Sequence, residues 1–181
     1  MSEQEVASFL EQERTVTCAT AGVRGWPHLM PLWYVLRDAP AGEPSPRLWA
    51  WTYAASQKVR NLERDARATL QVEAGEQYQE LRGVTFECDV AIHRDVSAVA
   101  ALGNEIFRRR LAIDAGMGGP PTRARSGIAN RPAAPRGEPP VDELPGEVAA
   151  MLEAQAAKRV ALEFVERRRV SWDHRKLGGV Y

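Results

Sequence analysis

A serine and two cations lie where a strand-like run of the sequence passes into a helix-like run. Ser56 follows the run LWAWTY and opens the run SQKVRNLERD, so Lys58 and Arg60 fall in the first turn of the predicted helix. Serine is a preferred N-cap residue, because its hydroxyl can accept a hydrogen bond from an amide of that turn. A helix N-terminus already carries partial positive charge, which normally favours acidic residues there.

Two interpretations explain these cations. A bound anion such as a phosphate would be contacted by the helix amides, the Ser56 hydroxyl and the Lys58 ammonium group. Alternatively, Lys58 and Arg60 extend into water, where each costs about 0.3–1 kcal/mol. The stretch lacks the glycines of a phosphate-binding P-loop, so the motif is only moderately specific.

Further candidate binding residues lie near Gly83 and at the C-terminus. Arg82 precedes Gly83 in ELRGV, and a glycine inside a strand often marks a close approach by a ligand or backbone. Arg82 either binds an anion or pairs with Glu80 at the surface. The C-terminal stretch that contains Trp172 either clamps the domain or covers a partner's ligand pocket.

Several chemistries are absent from the pattern. His28, His93 and His174 lie far apart, and no His/Cys spacing typical of zinc occurs, so we expect no metal. The nucleophile motif G-x-S-x-G and the dinucleotide motif G-x-G-x-x-G are both missing. Cys18 and Cys88 lie within apolar strand patterns, which favours packing roles and reduced thiols, although a Cys–His pair remains an alternative.

The composition favours a cytoplasmic protein without a polyanionic partner. The 181 residues include 24 Lys+Arg and 24 Asp+Glu, which gives a formal net charge of zero. The acidic N-terminus lacks the order of a signal peptide, and no apolar run is long enough to span a bilayer. We therefore expect neither membrane nor nucleic-acid binding, although a contact module built on the arginines at 123–136 is a third functional hypothesis.

Apolar alternation predicts six strands and four helices in a single domain over 1–181. The predicted strands are 14–20, 26–36, 47–53, 67–74, 78–94 and 159–172, and the predicted helices are 2–13, 56–65, 95–112 and 148–158. Six alternating strands with few helices favour a closed or half-closed barrel, mainly β with peripheral helices. Pro27 and Pro31 lack amide hydrogens, which indicates interrupted pairing in the second strand.

A proline-, glycine- and arginine-rich insertion occupies about 113–145. A structureless segment of this length is usually a functional flap or a disordered loop. The alternatives are a solvated insertion, a lid over a ligand site and an arm that contacts a partner.

The chain resembles the pyridoxamine 5′-phosphate oxidase-like split β-barrels, and within them the flavin- or deazaflavin-dependent oxidoreductases. GWPHLMPLW, WAWTYAASQKVRNLERDARATL, YQELRGV and SWDHRKLGG carry the resemblance, over roughly 4–95 and 155–181. Thr52, Ser56, Lys58 and Leu62 match the family pattern Thr-x-x-x-Ser-x-Lys-x-x-x-Leu. The resemblance implies a six-stranded FMN-binding split barrel that forms a homodimer, with each cofactor in a groove at the subunit interface.

The resemblance also implies roles for individual residues. Trp51 and Thr52 would contact the cofactor ring, and strand 28–33, with Met30 and Pro31, would pass beneath it. The cofactor phosphate would be bound by Ser56, Gln57 and Lys58, with Arg60 nearby. The residues at the pocket edge, or from the other subunit, would be Arg82, Gly83, Val84 and Trp172. His28 and Tyr34 are catalytic candidates, because they lie on the predicted cofactor-facing strand.

Two positions depart from the FMN-dependent oxidases. Met30 stands where those enzymes carry a phosphate-binding arginine, and Val35 stands where they carry a second basic residue. The deazaflavin branch also lacks that arginine, so the comparison favours coenzyme F-420 slightly over FMN. The expected function is hydride transfer between the bound cofactor and a small, unsaturated or planar substrate; the alternative is a non-catalytic flavin- or haem-type binder on the same fold.

Overall fold

The computed structural model describes residues 1–43, 46–114 and 146–178. The six strands are β1 (Thr15–Ala21), β2 (Pro27–Arg37), β3 (Arg47–Tyr53), β4 (Arg67–Ala74), β5 (Arg82–His93) and β6 (Arg159–Asp173). The four α-helices are α1 (Glu3–Gln12), α2 (Gln57–Arg64), α3 (Val96–Asp114) and α4 (Gly146–Ala156). Two short 3₁₀ helices span Tyr78–Glu80 and His174–Leu177. The predicted insertion at about 113–145 lies beyond the end of α3, outside the described residues, and so do its three alternative interpretations.

The strands close into one antiparallel barrel in the order β1-β2-β3-β6-β5-β4, which confirms the predicted split barrel with peripheral helices. Alternate side chains of each strand point inward, as the period of two requires. On β5, for example, Val84, Phe86 and Cys88 are all buried in the interior. The α1 residues Phe9 and Leu10 join the same core.

The barrel is split between the first half of β2 and the second half of β3. Residues 27–33 of β2 pair with β1, whereas β3 pairs with β2 only between Tyr34–Arg37 and Arg47–Ala50. The remainder of β3 pairs with β6. Pro27 and Pro31 therefore lie in the part of β2 that has one strand neighbour, which agrees with the predicted interruption of pairing.

A second, smaller core lies outside the barrel, where α3 packs on β2, β3 and β6. Val35 of β2 and Ala161 of β6 meet Val99, Leu102 and Ile106 of α3 there. This arrangement places a buried aliphatic side chain at position 35.

The predicted strand 78–94 begins too early. The amide of Glu80 donates to the main-chain carbonyl of Gln77 over 2.8 Å, and the Glu80 carboxylate accepts from the amide of Gln77 in return, so that a 3₁₀ turn forms before β5. This local capping overrides the alternating pattern, and the strand starts at Arg82.

Candidate functional site

Helix α2 buries one face at the split in the barrel. Lys58, Val59, Asn61 and Leu62 are buried, and the spacing i, i+1, i+3, i+4 places them on one helix face. Two of the four are polar, which is unusual for the buried side of a helix. These two polar residues form the centre of the candidate site.

Lys58 is a buried cation without an acidic partner in the described part of the chain. Its side chain is only 5% exposed, and Nζ donates a 3.0 Å hydrogen bond to Thr52 Oγ1. Burial lowers the pKa of the ammonium group from its ordinary value of 10.5, and the nearby Cys18 opposes this shift. The interpretation in which Lys58 extends into water is therefore wrong, whereas Arg60 is exposed as that interpretation expects.

Ser56 occupies the N-cap position of α2, but its hydroxyl makes no capping hydrogen bond. The backbone is extended, as an N-cap requires, at φ −71° and ψ 154°. Within the residues that the structure describes, the Ser56 Oγ atom is buried and has no hydrogen-bond partner. The predicted cap bond is wrong, and the hydroxyl is left beside the helix N-terminus with its hydrogen-bonding capacity unused.

Asn61 and Thr20 form a polar contact that the sequence did not reveal. Asn61 Nδ2 donates to Thr20 Oγ1 over 3.0 Å, and Asn61 Oδ1 accepts from Gln57 Nε2 over 2.9 Å. The contact fixes α2 against β1. The sequence indicates this contact only through the position of Asn61, which lies three residues after Lys58 on the helix face that also carries Leu62.

His28 and Met30 reach this region from β2. His28 is the cross-strand partner of Thr20, and Met30 is the partner of Cys18. Side chains of directly paired antiparallel residues lie on the same face of the sheet, so both β2 residues share the face of Thr20 and Cys18. His28 Nδ1 is buried without a hydrogen-bond partner among the described residues.

The structure brings together one group of the predicted site residues at the split. This group comprises Thr52, Ser56, Gln57 and Lys58 around the start of α2, with His28 and Met30 of β2 on the same face. Arg60 is on α2 but exposed.

Trp51 is not part of this group. Strand alternation turns its side chain to the sheet face opposite that of Thr52, where the ring packs against Gly103 of α3. The Arg159 guanidinium lies over the same ring, 4.4 Å from its centroid. Trp51 is therefore a packing residue between β3 and α3 in this structure, and the expected contact with a cofactor ring receives no support from its position.

Tyr34 and Pro31 also lie apart from Lys58. Tyr34 is 1% exposed, and its hydroxyl donates to Leu10 O over 2.6 Å. Burial raises the pKa of this phenol, which makes it a poor proton donor or acceptor at neutral pH. Pro31 belongs to the outward face of β2, together with Leu29 and Trp33.

Arg82, Gly83 and Trp172 form a separate group at the other end of the barrel. Gly83 pairs with Trp172, and a Cβ atom at position 83 would lie 2.3 Å from the Trp172 ring, so the ring requires glycine there. Arg82 donates to Gln12 and not to Glu80, which corrects the surface pairing considered from the sequence.

The separation of the two groups follows from the β-sheet register. Thr20 pairs with Ala68 near the start of β4, whereas Arg82 pairs with Ala74 at its end. At about 3.3 Å per residue, the two positions are roughly 20 Å apart along β4. Within one chain, Arg82 therefore does not contribute to the Lys58 group.

The donor set at the split fits a phosphate. A buried ammonium without an acidic partner and a buried hydroxyl without any partner lie at a helix N-terminus, where the first amides have no intrahelical acceptor. A phosphate supplies both the negative charge and the acceptor oxygens that this arrangement lacks.

Other site types find no support in the described ranges. No group of three or more His, Cys, Asp or Glu side chains in these ranges is arranged to hold a metal ion. None of the described helices is long and apolar enough to cross a membrane.

In a comparison with known protein families, residues 2–133 match the pyridoxamine 5′-phosphate oxidase family. The chain belongs to this family. Members of the family bind flavins, and the family includes oxidoreductases. No curated protein matched the chain.

Three solved structures are similar to this member of the pyridoxamine 5′-phosphate oxidase family. A conserved hypothetical protein from Mycobacterium tuberculosis, Rv2991, is 32% identical, with a TM-score of 0.70 over 100% of this chain and 90% of that chain. The heme storage protein HutZ from Vibrio cholerae is 14% identical, with a TM-score of 0.57 over 94% and 93% of the two chains. A protein described as an F420 reductase is 19% identical, with a TM-score of 0.54 over 91% and 95%. The last two similarities establish the fold alone.

Proposed function

We propose that the protein is an oxidoreductase that moves a hydride between a bound deazaflavin or flavin coenzyme and a small, unsaturated or planar substrate. The observation that carries the proposal is the buried Lys58 ammonium, which has a neutral partner in Thr52 and no described acid. A protein rarely buries a lone charge unless a ligand neutralises it. Membership of a family that binds flavins supports a coenzyme phosphate as that ligand.

The residues at the split have distinct tasks in this proposal. Lys58 neutralises the phosphate, and the Ser56 hydroxyl turns toward it as a donor. Thr52 holds the ammonium group in position, and Asn61 fixes the helix to β1 through Thr20. The coenzyme supplies the redox chemistry when it is bound, and the protein supplies orientation and the exclusion of water.

His28 is the remaining candidate for a proton donor at the site. Its Nδ1 atom is buried without a described partner, and it shares a sheet face with Thr20. Tyr34, the other candidate from the sequence, has its hydroxyl engaged by Leu10 O. We therefore assign any protein-derived proton transfer to His28 in preference to Tyr34.

The absence of two expected cations favours coenzyme F-420 slightly over FMN. Met30 brings no charge to the face that it shares with Cys18, and Val35 is an apolar side chain buried under α3. An FMN phosphomonoester carries close to two negative charges at neutral pH, whereas a phosphodiester carries one and needs fewer cations. The similarity to the F420 reductase agrees with this order.

A homodimer is part of the proposal. The outward face of β2 exposes Leu29 at 56% and Trp33 at 44%, with Pro31 between them. A groove of about 600 Å³ runs beside this face and is lined by Trp33, Thr17 and Gln71, among others. We propose that a second copy covers the exposed apolar row and that the coenzyme lies at the resulting boundary. Light scattering should report a dimer that Leu29→Asp dissociates.

Ligand binding tests the proposal directly. Purified protein is titrated with F-420 and with FMN, and the ligand fluorescence is followed. We expect a dissociation constant in the micromolar range for at least one coenzyme, and Lys58→Met should weaken it whereas Lys158→Met, which removes an exposed lysine, should not. Failure to bind either coenzyme at tens of micromolar would remove the proposal.

A non-catalytic binder of a flavin- or haem-type ligand is the second candidate. The similarity to HutZ favours it, since a heme storage protein has the same fold. Turnover separates the two functions: the reduced coenzyme is mixed with quinones, nitroaromatics and tetrapyrroles, and its reoxidation is followed by absorbance. Oxidation that requires both protein and acceptor supports the enzyme. Tight coenzyme binding without turnover of any acceptor supports the binder.

A further inference from the structure

The loop between β1 and β2 carries the two most exposed large apolar side chains in the described part of the chain. Val23 is 77% exposed and Trp26 is 75% exposed. Both residues lie beyond Ala21 and Pro27, which form the last residue pair between the two strands. Neighbouring large apolar side chains that remain this open often mark a contact with another surface.

Two backbone hydrogen bonds hold this loop in one conformation. The Gly22 amide donates to Trp26 O over 3.0 Å, and the Gly25 amide donates to Gly22 O over 3.0 Å. Gly25 has a positive φ of 83°, and a Cβ atom at position 22 would lie 2.3 Å from Trp26 O, so the turn requires both glycines. Because the turn is preformed, the loop loses little conformational entropy when its side chains bind a surface.

Three arginines lie at the same end of the barrel without an acid that binds them. Arg24 belongs to the loop itself, and neither Arg24 nor Arg60 of α2 makes a hydrogen bond or an ion pair with another described residue. Arg64 lies one helical turn after Arg60 on the same face of α2, and it donates to Ala21 O at the base of the loop. This hydrogen bond connects the cationic face of α2 to the loop.

The acids near these arginines are bound by other cations. Glu63 binds Arg94, and Asp65 accepts side-chain hydrogen bonds of 2.9 and 2.7 Å from Arg67. Asp65 also attracts Arg64, which is therefore partly neutralised. The surface around the loop keeps a positive charge, although the formal net charge of the whole chain is zero.

We infer that the loop and these arginines form a docking surface for a membrane that contains anionic lipids. Val23 and Trp26 would enter the interfacial layer of the bilayer, which favours tryptophan because the ring is apolar and its N–H group can still bind water or a headgroup. Arg24, Arg60 and Arg64 would bind lipid phosphates, since a guanidinium group matches two phosphate oxygens. The inference goes beyond the proposed function and does not depend on a coenzyme.

The combination of side chains favours a lipid surface over other partners. A nucleic acid would bind the arginines through its phosphates but would leave Val23 in water. A second copy that docked through a two-fold axis at the loop would bring the same arginines of both subunits together, which is unfavourable. An anionic bilayer matches the apolar side chains and the charges together. The expectation of no membrane contact rested on the net charge and on the lack of a long apolar run, and neither property detects a short loop of this kind.

Vesicle co-sedimentation with the full chain tests the inference. The protein is mixed with vesicles of phosphatidylcholine alone and with vesicles that also contain about 30% phosphatidylglycerol, each at low and at physiological salt. We expect binding to the anionic vesicles to be at least about tenfold tighter than to the neutral vesicles and to weaken with salt. Brominated lipids should quench the wild type more than Trp26→Phe, since this difference isolates one of the five tryptophans.

Matched variants decide whether the loop surface is responsible. Trp26→Ser should weaken binding to the anionic vesicles by at least about tenfold, because it removes the largest apolar side chain of the loop. Arg24→Gln and Arg60→Gln should each weaken it by about fivefold at low salt. Arg14→Gln, at the opposite end of β1, and Val170→Ser, at an exposed position of β6, are the controls for charge and apolar area. Each control should change binding by less than about twofold.

Four outcomes would overturn the inference. The first is no preference for anionic vesicles, and the second is undiminished binding by Trp26→Ser. The third is tighter binding to a duplex oligonucleotide than to the vesicles, which would assign the arginines to a nucleic acid. The fourth is a change in the mass that light scattering reports for Trp26→Ser, which would assign the loop to a contact between subunits. These assays contain no coenzyme, so failure of the proposed coenzyme site would leave their results unaffected.

Discussion

Lys58 Nζ donates to Thr52 Oγ1 over 3.0 Å, and no carboxylate in the described part of the chain neutralises this buried ammonium group. A neutral hydroxyl offsets only part of the desolvation of an ammonium group. The ligand-free protein is therefore destabilised at the same point that the proposed coenzyme would occupy. Stability and binding should respond in opposite directions when this charge is removed.

Lys58→Met should stabilise the ligand-free protein and weaken coenzyme binding. Methionine has a similar length and brings no charge, so the free energy of unfolding should rise by roughly 1–3 kcal/mol. For a chain of this size, each kcal/mol raises the melting temperature by about 2–4 °C. Coenzyme affinity should fall by about 10- to 150-fold, the loss expected for a charge-assisted contact of roughly 1.5–3 kcal/mol.

Calorimetry and fluorescence titration on the same preparations measure the two effects. Lys158→Met is the matched control, because it removes an exposed lysine and should change neither quantity. A variant that loses stability and binding together would indicate a purely structural role for Lys58 and contradict the opposing signs.

The stability cost of Lys58 should diminish at alkaline pH. Burial lowers the pKa of Lys58 in the folded state, so the unfolded chain retains this proton up to a higher pH than the folded chain. Stability rises with pH wherever the unfolded state binds more protons. The cost is therefore constant below the folded pKa and decreases between that value and about 10.5, the ordinary lysine value.

Unfolding of the wild type and of Lys58→Met as a function of pH isolates this contribution. The difference in unfolding free energy between the two proteins should narrow as the pH increases from neutral toward that range. Other groups titrate equally in both proteins and cancel in the difference. A gap that stays constant or widens would show that the folded-state pKa of Lys58 is not lowered.

Local signals in the sequence were sufficient for most of the fold. Strands β3 and β4 have the predicted bounds, because strict alternation and flanking polar residues define both ends. Helix α2 begins directly after Ser56, as its N-cap character predicts. The early start predicted for β5 failed, since the reciprocal hydrogen bonds of Gln77 and Glu80 are a local feature that hydrophobic alternation does not detect.

The site was only partly predictable, because its contacts are tertiary. Ser56 could be identified from its N-cap position, and Lys58 from its positive charge in the first turn of the predicted helix. The contact between Asn61 and Thr20 joins residues 41 positions apart and depends on how α2 docks into the split. The role of Trp51 could not be predicted either. The sequence shows that Trp51 and Thr52 face opposite sides of β3, but it does not show that Gly103 of α3 packs against the Trp51 ring.

Cys18 and Cys88 should be unreactive in the folded protein. Burial raises the pKa of the Cys18 thiol to about 11 and that of the Cys88 thiol to about 12, so neither is a thiolate at neutral pH. A thiol reagent such as Ellman's reagent should modify neither cysteine within minutes at pH 8 in buffer, and both after unfolding in guanidinium chloride. Rapid modification of the folded protein would contradict the burial of both side chains.

Gly103→Ala should destabilise the protein, although alanine is normally the better helix former. In an exposed helix this change gains about 1 kcal/mol. At position 103 a Cβ atom would lie 2.5 Å from the Trp51 ring, which also contacts the Arg159 guanidinium. Displacing the ring should lower the free energy of unfolding by about 1–3 kcal/mol, as overpacking of a core does.

A double-mutant cycle attributes this loss to the Trp51 ring. Trp51→Leu creates space, so adding Gly103→Ala to it should cost little or even restore the helix-propensity gain. Chemical denaturation of the four proteins gives the coupling energy between the two positions. If Gly103→Ala alone raised the stability, or if the two changes were additive, the ring would not be held against α3 and the packing assigned to Trp51 would be wrong.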